Sequence, residues 1–369
     1  MFNNTITERM YHSSDVIGVE QTEYSDFIRF VSKVFHRNFK TLIPKLYTDN
    51  PSVMRYHHAI KKGSKYVGGI ANVPYDIKLG SEVVKAYEIG MVSCDKSERG
   101  HGVMSALLGY CIDEATRNGG DIMLLDGLRQ RYESVGFEPI GTQYHFKVNR
   151  INMKKRLPNP KPYTLEKVTD NRYSEFFYEM YCKKAVYAVR EKERFFEYMN
   201  TWRNKVYAIV ENNKPIGYMI AKHNKIYEIS LLDGADILSA INAYFSKKLW
   251  EIDVVMCPYD DIKILADIAE HSEVHSFAQG KILDYRSFVG KTLRFCHSKF
   301  PLPAQTISLC IEGVDSFSII IDDDIKIVDL VSEPTVNFTE KEFTLSVFGN
   351  TSYMGLFKIP FAIPHIDMI

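Results

Sequence analysis

The stretch Ala86-Tyr87-Glu88-Ile89-Gly90-Met91-Val92-Ser93-Cys94, followed by Arg99-Gly100-His101-Gly102, decides the fold. Its first nine residues read as a strand. Beyond the glycines, Val103, Ala106, Leu107, Tyr110 and Ala115 fall near helical spacing, and the run stops at Asn118-Gly119-Gly120. Strand, glycine-rich turn, helix is an order that presents backbone N–H groups and the positive end of a helix dipole to an anion. Glycine lets the chain approach a ligand without a Cβ in the way, and Arg99 adds a charge-assisted donor. By itself the tetrapeptide is equally consistent with a helix-opening turn that holds nothing.

Working outward, residues 1 to about 150 alternate helix-like and strand-like runs. Phe27, Ile28, Val31, Val34 and Phe35 form one helical face. Tyr56 to Lys61 and Tyr66 to Val73 read as strands joined by Gly63-Ser64, and Gly80-Ser81 marks another hairpin before Val83 to Met91. Ile122 to Leu125 is apolar throughout, as in a strand of a sheet interior. Together these runs predict a mixed α/β sheet.

Arg150, Lys154, Lys155 and Arg156 then lead into Leu157 to Pro162, where prolines stand at 158, 160 and 162. This segment reads as a stiff linker with a solvated basic face. Residues 163–285 repeat the first plan in weaker form. Helix-like stretches (Ser174 to Val186, Phe195 to Trp202) precede strands at Val206 to Glu211, Ile216 to Lys222 and Ile226 to Leu231, then a helix at Ile237 to Leu249. Where the first copy has Arg99 to Gly102, this one has Asp233-Gly234-Ala235-Asp236. An acidic turn repels phosphate, so the second copy reads as a degenerate duplication without a cofactor site. From about 286 the pattern is of short strands, at Thr292 to His297, Thr306 to Ile311, Phe317 to Ile321, Ile325 to Val331 and Val336 to Phe338. Asp322-Asp323-Asp324 reads as a solvated hairpin turn rather than a calcium site.

Composition bounds the function. A chain of 369 residues exceeds what one core usually holds, so two or three domains are expected. Formal net charge is zero, which gives no global basic excess for nucleic acid. The six cysteines are scattered without a Cys-x-x-Cys pair and read as reduced thiols of a cytoplasmic protein. The first ten residues are too polar for a signal peptide, and no apolar run approaches a membrane span. His271 and His275 have metal-ligand spacing on a helix, but the order is not His-Glu-x-x-His, and no metal is expected. His57 and His58 point to opposite faces of a strand. Phe35, His36 and Phe39 are candidates for an acceptor pocket.

Tyr132-Glu133-Ser134-Val135-Gly136-Phe137 follows the buried strand at Ile122 to Leu125, which puts Tyr132 near a strand end beside the glycine turn. Ligands of α/β sheets collect at such places.

Glu88 to Leu108 followed by Tyr132 to Phe137 resembles the GNAT superfamily of acetyl-CoA-dependent N-acetyltransferases. Its signature, Arg-x-x-Gly-x-(Gly/Ala), is met by Arg99 and Gly102, while Met104 departs at the last position. The whole layout is similar to the enhanced intracellular survival (Eis-like) acetyltransferases: 1–150 catalytic, 151–162 linker, 163–285 degenerate GNAT-like, 286–369 resembling sterol carrier protein. Ser308 to Gly313 and Val336 to Thr344 carry that last likeness.

The resemblance implies an α/β (α+β) fold of two tandem GNAT sheets plus the sterol-carrier-like domain. It implies that Val92, Ser93 and Cys94 pair with the pantetheine arm and that Arg99, Gly100, His101, Gly102, Val103, Met104 and Ser105 hold the pyrophosphate. It makes Tyr132 the general acid, and the terminal carboxylate, here of Ile369, the base. It also implies a homo-oligomer, often a hexamer, and a small-molecule or peptide amine as acceptor, among them aminoglycosides and lysine amines.

Chemistry is compatible with those roles. A tyrosine at ~10 and a thiol at ~8.5 differ by about 1.5 units, roughly 2 kcal/mol uphill for the proton. A carboxylate at ~3.5 is a poor base for an ammonium in water and must work in a dry site, through water, or by orienting the amine. The Val92 amide is the candidate for holding an oxyanion. Direct attack is expected rather than acylation of Cys94, which has no histidine neighbour in sequence. The alternative to an enzyme is a non-catalytic acyl-CoA or lipid binding protein.

Overall fold

The computed structural model describes residues 10–48, 50–349 and 363–369. The polar start of the chain, residues 1–9, lies outside the described residues. The first part supplies β1 (Ile17–Gly18), β2 (His57–Lys62), β3 (Lys65–Leu79), β4 (Glu82–Cys94), β5 (Ile122–Leu125), β6 (Glu138–Ile140) and β7 (Gln143–Asn149). The second supplies β8 (Thr164–Val168), β9 (Val186–Ala188), β10 (Lys205–Glu211), β11 (Lys214–Lys222), β12 (Lys225–Leu231), β13 (Glu251–Met256), β14 (His271–His275) and β15 (Ala278–Ile282). The third supplies β16 (Gln305–Ile311), β17 (Asp315–Ile321), β18 (Ile325–Val328) and β19 (Val336–Phe338).

These strands form three mixed sheets. The first runs β1-β2-β3-β4-β5-β15-β6, with β9 added to β3; the second runs β14-β7-β13-β12-β11-β10-β8; the third runs β18-β17-β16-β19. β5 lies parallel to β4 and is buried at every position, as its unbroken apolar run requires. The helix Val103–Arg117 covers one face of the first sheet, with Leu107, Leu108 and Cys111 in a core shared with Ile89 and Leu125. The other face joins Ile77, Leu79 and Ile122 to Phe288, Leu293 and Phe317 of the third part in one continuous core.

Three strands cross the boundaries expected at 150 and 285. β7 leaves the first sheet and pairs with β13 and β14 of the second. β15 returns to fill the place between β5 and β6. β9 pairs with the end of β3, Val186 opposite Leu79. Local pattern gives strand propensity but not partner, and here partner choice is made by tertiary packing.

Other expectations change too. Thr292 to His297 is not a strand but part of the helix Tyr285–Lys299, which Asp284 caps by accepting from the Ser287 amide. Its buried positions, Tyr285, Phe288, Val289, Leu293 and Cys296, follow helical spacing. Arg150–Arg156 is a helix, not a linker face, and Arg150 donates to the Phe245 and Leu249 carbonyls. His271 and His275 lie on β14, an exposed edge strand, not on a helix. Asp322-Asp323-Asp324 is the expected turn, with the Asp324 amide donating to Asp322 and Lys326 beside it. Among the described residues no helix is long and apolar enough to cross a membrane.

Candidate active site

β4 is the axis of the site. Its ladder with β5 ends at the pair Ile89 and Leu125, so the strand runs on to Cys94 past the end of that ladder. On the β3 side Gly69 faces Ser93 and Ala71 faces Gly90, so Met91 and Val92 stand against Ile70 alone. This is a β-bulge, and Met91 takes the left-handed φ of 54° inside it. A non-glycine residue at positive φ in a strand is held there by its surroundings. Tyr47 hydroxyl contacts both the Met91 sulfur and the His57 ring, and the Ser93 hydroxyl donates to the Gly69 carbonyl at 3.0 Å. Burial lowers His57 to about 4, so its ring is neutral and accepts from Tyr47 while Nδ1–H donates to Val53.

The glycine loop follows. Gly100 and Gly102 have φ of 85° and 80°, and Gly102 caps the helix Val103–Arg117. The loop is braced from behind: the Tyr11 amide donates to His101 at 2.8 Å, and Glu98 takes the Tyr11 hydroxyl at 2.9 Å and Lys62 at 2.8 Å.

A cleft of about 730 Å³ runs along this edge. Its wall includes Val92, Ser93, Cys94, Arg99, Gly100, Gly102, Val103, Met104 and Ser105, with Phe35 and Arg131 added. Of the ten residues expected from sequence to hold the cofactor, only His101 is outside that wall; its carbonyl faces Tyr11 instead. Burial raises the Cys94 thiol above its ordinary value despite Arg99 nearby, and the thiol donates to the Asp95 carbonyl. That disfavours a nucleophilic thiolate.

Tyr132 ends the short helix Arg129–Tyr132 and is 8% exposed. Its ring packs against Phe137 and leaves no space over Gly127, where a Cβ would come within 2.6 Å of it. Burial raises its hydroxyl above the usual value. It shares a core cluster with Leu125 and Val103, but it lines neither this cleft nor the hollow described next.

A second hollow, of about 650 Å³, lies against the same strand at Glu88. Lys45 and Tyr75 from the first part, Glu191 and Tyr198 from the second, and Asp367 and Ile369 from the chain's end all reach it. Ile369 is 9% exposed, and its amide donates to the Glu88 carboxyl. Its side chain lies over Gly90, where an added Cβ would be 2.8 Å from it. Glu88 is buried, and that burial pushes its carboxyl up to about 8, against the opposing pull of Lys45 and the Ile369 amide. Phe35, His36 and Phe39 do not line this hollow. Phe35 belongs to the cleft along the glycine loop, His36 to a separate surface hollow, and Phe39 to the core around Ile369.

Sequence reading passed over Glu88 and Lys45. The signal for Glu88 was present: one carboxylate in the middle of the apolar run Ala86 to Met91. Within residues 163–285, Asp236 accepts from the Leu238 and Ser239 amides. A carboxylate of the chain thus occupies the helix N-terminus that a phosphate would need.

Residues 15–140 match the family described as Acetyltransferase (GNAT) domain. These residues carry the likeness to an acetyltransferase domain of the GNAT class. Among solved structures, the chain is similar to a GCN5-related N-acetyltransferase from Kribbella flavida (13% identity, 89% of this chain and 87% of that one, TM-score 0.66). It is also similar to one from Anabaena variabilis (15% identity, 90% and 89%, TM-score 0.65). Eis1 from Mycobacterium abscessus is similar over 90% of each chain, at 10% identity and TM-score 0.61. At these identities the likeness is one of fold. Comparison with curated protein sequences gave no match.

Proposed function

We propose that the chain transfers an acetyl group from acetyl-CoA to a primary amine by direct attack. The observation that carries this reading is the bulged β4. It is lined on one side by the phosphate-type loop cleft and, four residues earlier at Glu88, by a hollow holding the chain's own carboxyl end. The loop amides and Arg99 suit a pyrophosphate, and the strand edge at Val92 to Cys94 suits an amide-bearing arm. The Val92 N–H, in the bulge, serves the charge that grows on the carbonyl oxygen.

Tyr132 is assigned the proton for the departing thiolate. Its burial keeps it protonated at neutral pH and makes the transfer somewhat more uphill than the roughly 2 kcal/mol of exposed groups. The Ile369 carboxylate is assigned to the amine. A second reading gives the proton to the ionised form of Glu88, populated as pH rises toward about 8, and leaves Ile369 to orient the amine, because a carboxyl near 8 is far better matched to an ammonium than an ordinary one. Residues 163–285 are read as cofactor-free, and 286–369 as a sterol-carrier-like domain whose end completes the site. A cytoplasmic homo-oligomer is the proposed assembly.

The test is release of free thiol from acetyl-CoA in the presence of an aminoglycoside or polyamine. Tyr132→Phe should lower kcat by about a hundredfold or more. Native turnover in that variant would remove Tyr132 from the reaction. Acetyl-CoA binding without turnover over a broad amine panel would favour a binding protein instead.

A further inference from the structure

Among the described residues, Arg190 heads the large side chains that are fully buried. It follows β9 by two residues and belongs to the half of the chain that lacks a glycine loop. Its Nε and Nη2 donate to the two carboxylate oxygens of Asp367 at 2.6 and 3.0 Å, and Nη2 also donates to Glu228 at 2.9 Å. The guanidinium lies 3.7 Å from the centre of the Tyr181 ring, whose hydroxyl donates to Asp367 at 3.1 Å. Glu228 in turn takes the Tyr218 hydroxyl. One residue further along the tail, the Trp202 indole N–H donates to the Met368 carbonyl at 3.0 Å.

A buried guanidinium between two carboxylates is a costly way to gain stability, since apolar side chains of the same volume usually do as well. What it does supply is direction. Bidentate pairing fixes Asp367 in one orientation. Ile369 is two residues on, and two residues of extended chain span no more than about 7 Å. With Asp367 pinned and Met368 held by Trp202, the terminal residue has little freedom left.

We propose that Arg190, Glu228 and Asp367 form a latch that holds the last residues of the chain, so that Ile369 enters the GNAT domain against Gly90 and Glu88. The second half, in which Asp236 caps the helix Ile237–Tyr244, serves as the holder of the tail. Arg190 and Glu228 are positioning residues. The catalytic consequence rests on the proposed role of the Ile369 carboxylate; the holding of the tail does not.

The two are separated by measuring tail release and turnover on the same full-length proteins. Carboxypeptidase removal of Ile369 is followed by mass spectrometry, alongside steady-state kinetics with acetyl-CoA. Asp367→Asn keeps the shape and removes the charge. It should lose Ile369 at least roughly tenfold faster than the native protein, and kcat should fall by a similar factor while KM for acetyl-CoA stays within about twofold. Asp367→Glu should recover part of both. Folded Asp367→Asn protein that keeps Ile369 as long as the native chain overturns the latch. Rapid loss of Ile369 with native turnover leaves the latch standing and removes the terminal carboxylate from the chemistry. If Asp367→Asn does not fold, Glu228→Gln, which removes one of the two carboxylate charges paired with Arg190, takes its place. Faster loss of Ile369 supports the latch, and unchanged loss overturns it.

Discussion

Glu88 shows what one buried carboxyl can do to a site and to the stability of the molecule. It holds its proton up to about pH 8 in the native protein, against 4.5 for the ordinary group. Between those values folding takes up a proton, so native stability falls as pH rises through the window and levels off above it. Glu88→Gln has no proton to lose. Its melting temperature should therefore gain on that of the native protein between about pH 5 and 8, by calorimetry at several pH values. A constant difference over that range would mean that Glu88 is ionised in the native state. Gly90, two residues on, is needed for a different reason: any side chain there would displace Ile369. Both residues sit in β4, yet nothing local to that strand says that Ile369 will lie across it.

At the scale of elements, the loop after β4 matches its sequence closely. Arg-Gly-His-Gly places glycine at the two positions whose φ is positive, and the helix begins at Val103 as its periodicity requires. Gly100 has open space around its Cα, so Gly100→Ala tests backbone conformation alone. The left-handed penalty for an L-residue, about 1 kcal/mol, should raise KM for acetyl-CoA roughly fivefold with kcat little changed. An unaltered KM would separate this loop from cofactor binding. The bulge at Met91 and Val92 was not legible, because a bulge is set by how two strands meet. The helix Tyr285–Lys299 was partly misread for a related reason. Thr292 and Phe295 favour strands while Leu293 and Arg294 favour helix, and it is the spacing of the buried positions over four turns, packed in the core that joins the first sheet, that marks the segment as helical.

At the scale of the whole molecule, the three parts are woven together rather than strung in a row. β7 and β15 exchange between the two large sheets, and the third part completes the core under the first. A fragment ending at residue 150 would leave the edge of β5 without β15 and would carry β7 without its partners. Such a fragment should aggregate or remain unfolded by circular dichroism, with no acetyl-CoA binding. A folded, monomeric fragment that binds acetyl-CoA would show that the exchange adds nothing to the first domain.

The sequence by itself determined the α/β class, the strand, glycine loop and helix from Ala86 to Arg117, and the acidic turn Asp233-Gly234-Ala235-Asp236 between β12 and the helix Ile237–Tyr244. These are short-range features in which glycine conformation, charge and apolar spacing act over a few residues. Only the tertiary structure decided which strands pair, where Glu88 and Lys45 stand, and that Arg190 grips Asp367 across 177 positions of chain. Partners so far apart are chosen by burial and by the balance of buried charge, and neither quantity exists until the chain has folded. The stretch from Ala86 to Gly102 thus specifies a strand, a glycine loop and the start of a helix, and the fold brings Ile369 to the same strand.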